Sequence, residues 1–361
     1  MAEASHPAHL SPSELGTKDY WETFYARTLS HISTKHSTNS NRHSHPTKAS
    51  SNPSNPSNHT NSSSDEDSDS DDDNDVDDDS DPGTSWFSEH NAPDKVLQFL
   101  TDEEFPLAPC NTIPATTTSF SAADGEKESP QPCILDLGTG NGSMLALLRK
   151  RGGFRGEMVG VDYSARSVML ARELQRLRIH SAYLSDSEDD SGSESGCEGG
   201  DTNIRFEEWD ILHSTADISR NDDGEGSEKE KLEWFPYDKG GFDIVLDKGT
   251  FDAVSLSDEV VKGHHDRNDK DEGKDTAASG KKIQRRVCER YPGVVRGLVR
   301  KGGFVVVTSC NWTEEELVRW FTASADAGDR LVVWGRVEYP RFRFGGREGQ
   351  GVVTVCFQRV E

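Results

Sequence analysis

Apolar residues in this chain gather in short continuous runs, and stretches of helical spacing separate them. "CILDL" (133–137), "EMVGVDYS" (157–164), "IRFEEWDI" (204–211), "FDIVLD" (242–247) and "FVVVTSC" (304–310) each read as a strand. The runs are largely continuous rather than alternating, which fits strands covered on both faces. Between the first two, Met144, Leu145, Leu147 and Leu148 form a helical face. That helix ends in Arg149-Lys150-Arg151 and Gly152-Gly153, a cationic last turn with a C-cap glycine. After the second strand, Leu170, Leu174 and Leu177 fall at i, i+4 and i+7. "VVRGLVRKGG" (294–303) reads as the end of a helix, and "TEEELVRWF" (313–321) opens with Thr313 and Glu316 in capping-box spacing. "RVEYPRFRF" (336–344) and "VVTVCFQRV" (352–360), with no helix between them, predict an antiparallel hairpin at one edge. Strand–helix alternation of this kind predicts an α/β fold on a mostly parallel sheet.

Low-complexity segments interrupt that pattern. Residues 31–82 pass from Ser, Asn, His and Pro into a poly-acidic run and read as a disordered insertion, because they hold too little apolar surface to offset their ordering entropy. Residues 110–131, 184–201, 220–231 and 257–281 read as further loop expansions inside a domain spanning 83–361. The segment 1–30 supplies a helix to that same domain. Charge refines the picture. The net charge is −25, and the runs at 65–81 and 184–201 carry 19 of those negative charges. The folded part is therefore only mildly acidic, and it lacks the basic footprint of non-specific nucleic-acid binding. Ser64, Ser68, Ser70, Ser185 and Ser187 sit among acids, as sites of acidophilic kinases do. The acidic run is read either as a solubilising insertion or as an attractor for a basic partner.

The six cysteines contain no C-x-x-C pair, and His31, His36, His43 and His45 fall in the polar tract, so no metal site is expected. No run approaches the roughly 20 apolar residues of a membrane span, and no apolar signal core opens the chain. The expectation is a protein of the cytoplasm, with nuclear presence also open.

The chemistry gathers at the strand tips. "ILDLGTGNGSM" places Gly138, Gly140 and Gly142 between the first strand and a helix. Such glycines allow a tight turn and close approach of a ligand to the backbone. The dinucleotide pattern G-x-G-x-x-G fails here by one residue, because Ser143 stands at its third glycine. Asp136 lies two residues before the first glycine, where a carboxylate disfavours a pyrophosphate and suits an ammonium group. S-adenosyl-L-methionine carries an ammonium, a sulfonium and no phosphate. Asp162, at the second tip, can accept from ribose hydroxyls, and Asp210, at the third, from an adenine amino group.

With those residues the chain resembles the class I, seven-strand, Rossmann-like S-adenosylmethionine-dependent methyltransferases, "DLGTGNG" matching their first motif and "GVDYS" their second. "LGTKDYWETFY" (15–25), "WFSE" (86–89), "WDI" (209–211) and "DKGTFDA" (247–253) are similar to the elongation factor 1-alpha lysine methyltransferase 2 family. The chain departs from that family by the insertion between Leu29 and Trp86 and by Ser88 where a glycine is expected. The resemblance implies protein-lysine N-methylation, most directly of translation elongation factor 1-alpha, by a monomer. It implies cofactor contacts from Trp21, Asp136, Gly138, Thr139, Gly140, Asn141, Gly142, Asp162, Tyr163, Asp210 and Ile211.

The fourth strand then delivers Asp247, Lys248, Gly249 and Thr250. With three tips assigned to the cofactor, Asp247 is expected to face the donor methyl and contact the incoming lysine. Lys248 and Thr250 would shape that loop, the alternative for Lys248 being that it only pairs with Asp252. Tyr20, Trp21, Phe24 and Tyr25 share a helical face that either packs over the sheet edge or lines the channel, and the two are compatible. Asp247-Lys-Gly-Thr250 differs from the N-P-P-Y tetrad of amide and base methyltransferases, and Ser143 with Asp136 disfavours an oxidoreductase. Another protein or a small molecule remains open as the methyl acceptor.

Overall fold

A computed structural model describes residues 6–42, 87, 90–112, 131–178, 204–216, 218, 231–261, 285–323, 328–344 and 347–361. Most of the expected loop expansions, the acidic runs and their serines lie outside these residues, as do Trp86, Ser88 and Glu89.

Five parallel strands carry the site: β1 (Ile134–Leu137), β2 (Met158–Asp162), β3 (Ile204–Glu208), β4 (Phe242–Lys248) and β5 (Val299–Ser309). With β6 (Arg330–Val337) and β9 (Val353–Val360) they form a seven-stranded sheet in the order β3-β2-β1-β4-β5-β9-β6. The side-chain period of two sorts the apolar runs onto both faces. Ile134, Ile244, Leu246, Phe304 and Val306 join one core with α4 (Ser143–Lys150) and α5 (Ala165–Leu177). Leu135, Leu137, Val159, Val161, Val245 and Val305 join the other, with α7 (Tyr291–Leu298) and α8 (Glu314–Thr322). Burying a Leu or Phe in such a core contributes roughly 1.5–3 kcal/mol. The capping box at Thr313 forms as expected, with Glu316 N donating to Thr313 Oγ1 at 3.3 Å and Thr313 N to Glu316 Oε2 at 3.1 Å.

Three boundaries differ from expectation. First, the expected antiparallel pair forms at the edge of the sheet, β6 with β9, but β6 starts at Arg330 and stops at Val337 rather than spanning 336–344, and β9 is the inner strand, antiparallel to both β5 and β6. Pro340 limits the first of these strands. Lacking an N–H it cannot continue a ladder, so β6 stops at Val337, and β7 (Arg341–Phe344) pairs instead with β8 (Arg347–Gln350) as a separate ribbon. Second, the helix before β5 ends at Leu298. The stretch Val299–Gly303 is already strand, with a register shift opposite Phe242 and Ile244, and Arg300 ties it down by donating to Asp243 Oδ1 at 2.5 Å. Third, α1 (Lys18–Arg42) continues past residue 30, so residues 31–42, expected to begin the insertion, are helical. It packs against α5.

Candidate active site

A cavity of about 460 Å³ opens at the carboxyl ends of β1, β2, β3 and β4. The loop after β1 forms its floor. Gly138 and Gly140 have φ of +59° and +57°, in the left-handed region that favours glycine. A Cβ on Gly138 would lie 2.2 Å from the Thr250 hydroxyl, and one on Gly140 would lie 3.1 Å from the Tyr25 hydroxyl. The loop is thus pressed from both sides, and its backbone faces the cavity.

Asp162 holds the loop in that shape. Its carboxylate accepts from Gly140 N at 3.2 Å, Ser164 N at 2.9 Å and Ser167 Oγ at 2.7 Å. Burial pushes its pKa up, against those hydrogen bonds. A carboxylate has about four acceptor sites, so one remains for a ligand. Asp210 accepts from Leu212 N at 3.0 Å, His213 N at 3.1 Å and the His213 ring at 3.0 Å.

Of the residues named from the sequence, Trp21, Gly138, Thr139, Gly140, Asn141, Asp162, Tyr163, Asp210, Ile211, Lys248 and Thr250 line the cavity. Asp136, Gly142 and Asp247 do not, and each has a physical reason. Asp136 is buried beneath the loop, accepting from Thr139 Oγ1 at 2.9 Å. Burial pushes its pKa up to about 6, while the charge of Lys248 pulls it down. Gly142 serves packing: its φ is +78°, and a Cβ there would come within 2.6 Å of the Phe206 ring. Asp247 departs furthest from its expected placement. It is 1% exposed and turned into the protein. Thr250 N donates to it at 2.9 Å, Phe251 N at 3.2 Å and the Tyr291 hydroxyl at 2.8 Å. Its carboxylate caps α6 (Thr250–Ser255) rather than facing the space where a methyl donor would sit. Burial pushes its pKa up to about 7.

What β4 does present is Lys248, Gly249 and Thr250. Thr250 shapes the loop as expected, its hydroxyl donating to Leu137 O at 2.6 Å and so tying two strand tips together. The Lys248 ammonium lies 5.9 Å from the centroid of the buried Phe87 ring. Asp252, the alternative partner of Lys248, is buried and accepts from Ser309 Oγ at 2.5 Å and Cys310 N at 2.8 Å.

The N-terminal segment closes the cavity from above. Gly16, Thr17, Lys18, Trp21 and Tyr25 all line it, so the aromatic face of α1 both packs and lines. Trp21 Nε1 donates to Leu15 O at 2.8 Å, and Glu22 accepts from Ala165 N at 2.8 Å, capping α5 from another element. Sequence reasoning missed Glu22, Ser167, Tyr291, His213 and Glu259. Only Ser167, five residues beyond Asp162, and His213, three beyond Asp210, left a local signal. Tyr291 reaches Asp247 across 44 positions of chain.

The donor set tests the expected cofactor. Acids Asp162, Asp210 and Glu259 line the cavity with Lys18 and Lys248, and Asp136 lies beneath its floor. That set suits hydroxyl, amino and ammonium groups and opposes a pyrophosphate, so the residues present fit S-adenosylmethionine.

Residues 129–186, which contain the loop, β2 and α5, match a family model described as a methyltransferase domain. Over 97% of this chain and 96% of the relative, the sequence is 29% identical to protein-lysine N-methyltransferase EFM4 of Saccharomyces cerevisiae. It is 26% identical to efm4 of Schizosaccharomyces pombe over 97% and 95% of the two chains. Human EEF1A lysine methyltransferase 2 is 25% identical over 78% of each. No described helix is long and apolar enough to cross a membrane. Glycine loop and sequence similarity agree: the chain carries a methyltransferase domain on a seven-stranded sheet and is similar over nearly its whole length to curated protein-lysine N-methyltransferases.

Proposed function

We propose that this protein is an S-adenosylmethionine-dependent protein-lysine N-methyltransferase whose substrate is translation elongation factor 1-alpha. One observation carries the reading: the glycine-loop cavity, with its acid-rich lining, belongs to a chain similar end to end to enzymes named for that reaction. When bound, the cofactor supplies an electrophilic methyl group on a sulfonium. Gly138 and Gly140 let the backbone approach it, Asp162 has an acceptor site for the ribose hydroxyls, and Asp210 for the adenine amino group.

The acceptor must arrive as a neutral amine. With a reference pKa of roughly 10.4, stripping a lysine of its proton at pH 7 costs about 4–5 kcal/mol. Lys248 bears on this step, because a fixed ammonium in the cavity wall disfavours a second one nearby and lowers the pKa of an incoming lysine. Asp247 acts one step removed, as a positioning residue that fixes the first turn of α6 and with it Lys248 and Thr250. Much of the rate enhancement then comes from holding amine and methyl in line.

Incubation with labelled donor and recombinant elongation factor 1-alpha, followed by peptide mass spectrometry, tests the proposal. A methylated lysine in the factor is expected. Label that appears only on other proteins, on a metabolite or on nucleic acid would sink it.

A further inference from the structure

The N-terminal strap carries a second cluster, away from the cavity. His6, His9 and Glu289 each offer one ligand atom, and these atoms lie within 4.8 Å of one another. None of the three lines the cavity. We propose that they bind a divalent metal ion of the zinc type, which clips the N-terminal strap to the body of the domain.

The geometry is prepared for a ligand. His6 lies stacked on Trp320 at 5.0 Å and 17°, and His9 lies 6.1 Å from the same ring, which is buried and rigid. His6 Nδ1 is 2.9 Å from Pro7 O. With Nδ1–H donating there, the Nε2 lone pair is left for a metal, as second-shell carbonyls do for ligating histidines. His9 Nε2 is buried and makes no acceptable hydrogen bond. A buried polar atom left so needs a partner. It stands 3.3 Å from Glu289 Oε1, and His6 Nε2 stands 3.9 Å from Oε2. Tetrahedral zinc with nitrogen and oxygen ligands at about 2.1 Å separates them by about 3.4 Å, so the His9–Glu289 edge fits, the His6–Glu289 edge closes by about half an ångström, and the widest separation, up to 4.8 Å, closes by a turn of the half-buried His6. Two imidazoles with one carboxylate select a transition metal over magnesium or calcium.

The competing cations are both arginines. Arg285 Nε donates to Glu289 Oε2 at 2.9 Å, but its side chain is 71% exposed and free to swing into water. Arg286 binds through its backbone N–H, at 3.0 Å from Oε1, and its guanidinium is turned to Leu10 O at 2.7 Å. Glu289 is therefore oriented by a hydrogen bond that a bound metal leaves in place. His6, 38% exposed, leaves that side of the cluster accessible to a water as fourth ligand. The role is structural. Beyond His9, the strap is held by Leu10 O on Arg286 and by Ser13 N on Leu256 O at 3.1 Å before reaching the cavity at Gly16.

Cobalt(II) titration of the full chain, with any purification tag removed, tests this. Wild type should retain one more equivalent after dialysis than His6→Gln/His9→Gln, and should show the visible absorption of a four-coordinate nitrogen–oxygen site that the double variant lacks. Glu289→Gln, which keeps the acceptor for Arg286 N, gives an independent loss expected to be at least about tenfold in affinity. Circular dichroism melts of each variant confirm folding. Equal cobalt retention by wild type and both variants, or none by wild type, overturns the proposal.

Discussion

Asp247 accepts from the backbone N–H groups of Thr250 and Phe251 and from the Tyr291 phenol, the last two buried and the first part-buried. Removing the carboxylate leaves three donors without partners, at about 1–3 kcal/mol each. Asp247→Ala should therefore lower unfolding free energy in urea by about 3 kcal/mol or more. A variant of unchanged stability that still fails to transfer methyl would return Asp247 to the reaction itself. The residue scale is also where sequence reading divides most sharply. Glycines at G-x-G-x-G spacing after a strand announce a ligand loop, because few other roles need that backbone freedom. Asp162 and Asp210 follow from standing at the next two tips. Asp247 had the same position and a different fate. Which way a tip carboxylate turns depends on Tyr291, distant in sequence, and no local pattern encodes that choice.

Among the elements, the strap and α1 are the parts that a Rossmann-like sheet does not dictate. Gly16 shows how tightly the strap is seated: a Cβ there would lie 2.3 Å from the backbone carbon of Leu256. Backbone cannot rotate away as a side chain would. Gly16→Val should lift the strap from the end of α6 and weaken binding of S-adenosylhomocysteine severalfold in calorimetry, while the melt of the sheet domain moves little. An unchanged affinity would show that the strap does not shape the cavity. The central strands were legible because buried parallel strands leave unbroken apolar runs. The antiparallel β6–β9 pair was legible too, from two final strands with no helix between them, but not which of the two would join β5, since an antiparallel strand that alternates correctly for one neighbour alternates correctly for the other. Pro340 marked the end of that ladder at β6.

At the scale of the whole molecule, buried acids set how stability varies with pH. Asp136 and Asp247 have folded-state pKa values pushed up to about 6 and about 7, from an ordinary 3.8. The folded protein binds more protons than the unfolded chain across that window, so stability is fully present below about pH 4 and is lost as pH rises through those values. His213, raised mainly by its hydrogen bond to Glu259, acts in the same direction above its ordinary 6.5. Asp243, Asp329 and Glu289 are lowered by hydrogen bonds and nearby cations, which outweigh burial where burial opposes them. Their contribution disappears at the acid end instead. The urea midpoint should fall between about pH 5 and about pH 8, and fall less in Asp136→Asn. A midpoint that rises or stays level across that range would show that these acids ionise as freely as in water. The sheet order has a consequence for how the protein is made. As the ribosome releases the chain, β5 and β6 emerge before the strand that joins them. Until β9 slides in, each presents an open row of N–H and C=O groups, the kind of surface on which nascent chains stick to one another. The last strand to be made is therefore the one that seals the sheet, and losing it would leave two aggregation-prone edges open on this side, β5 and β6, instead of one.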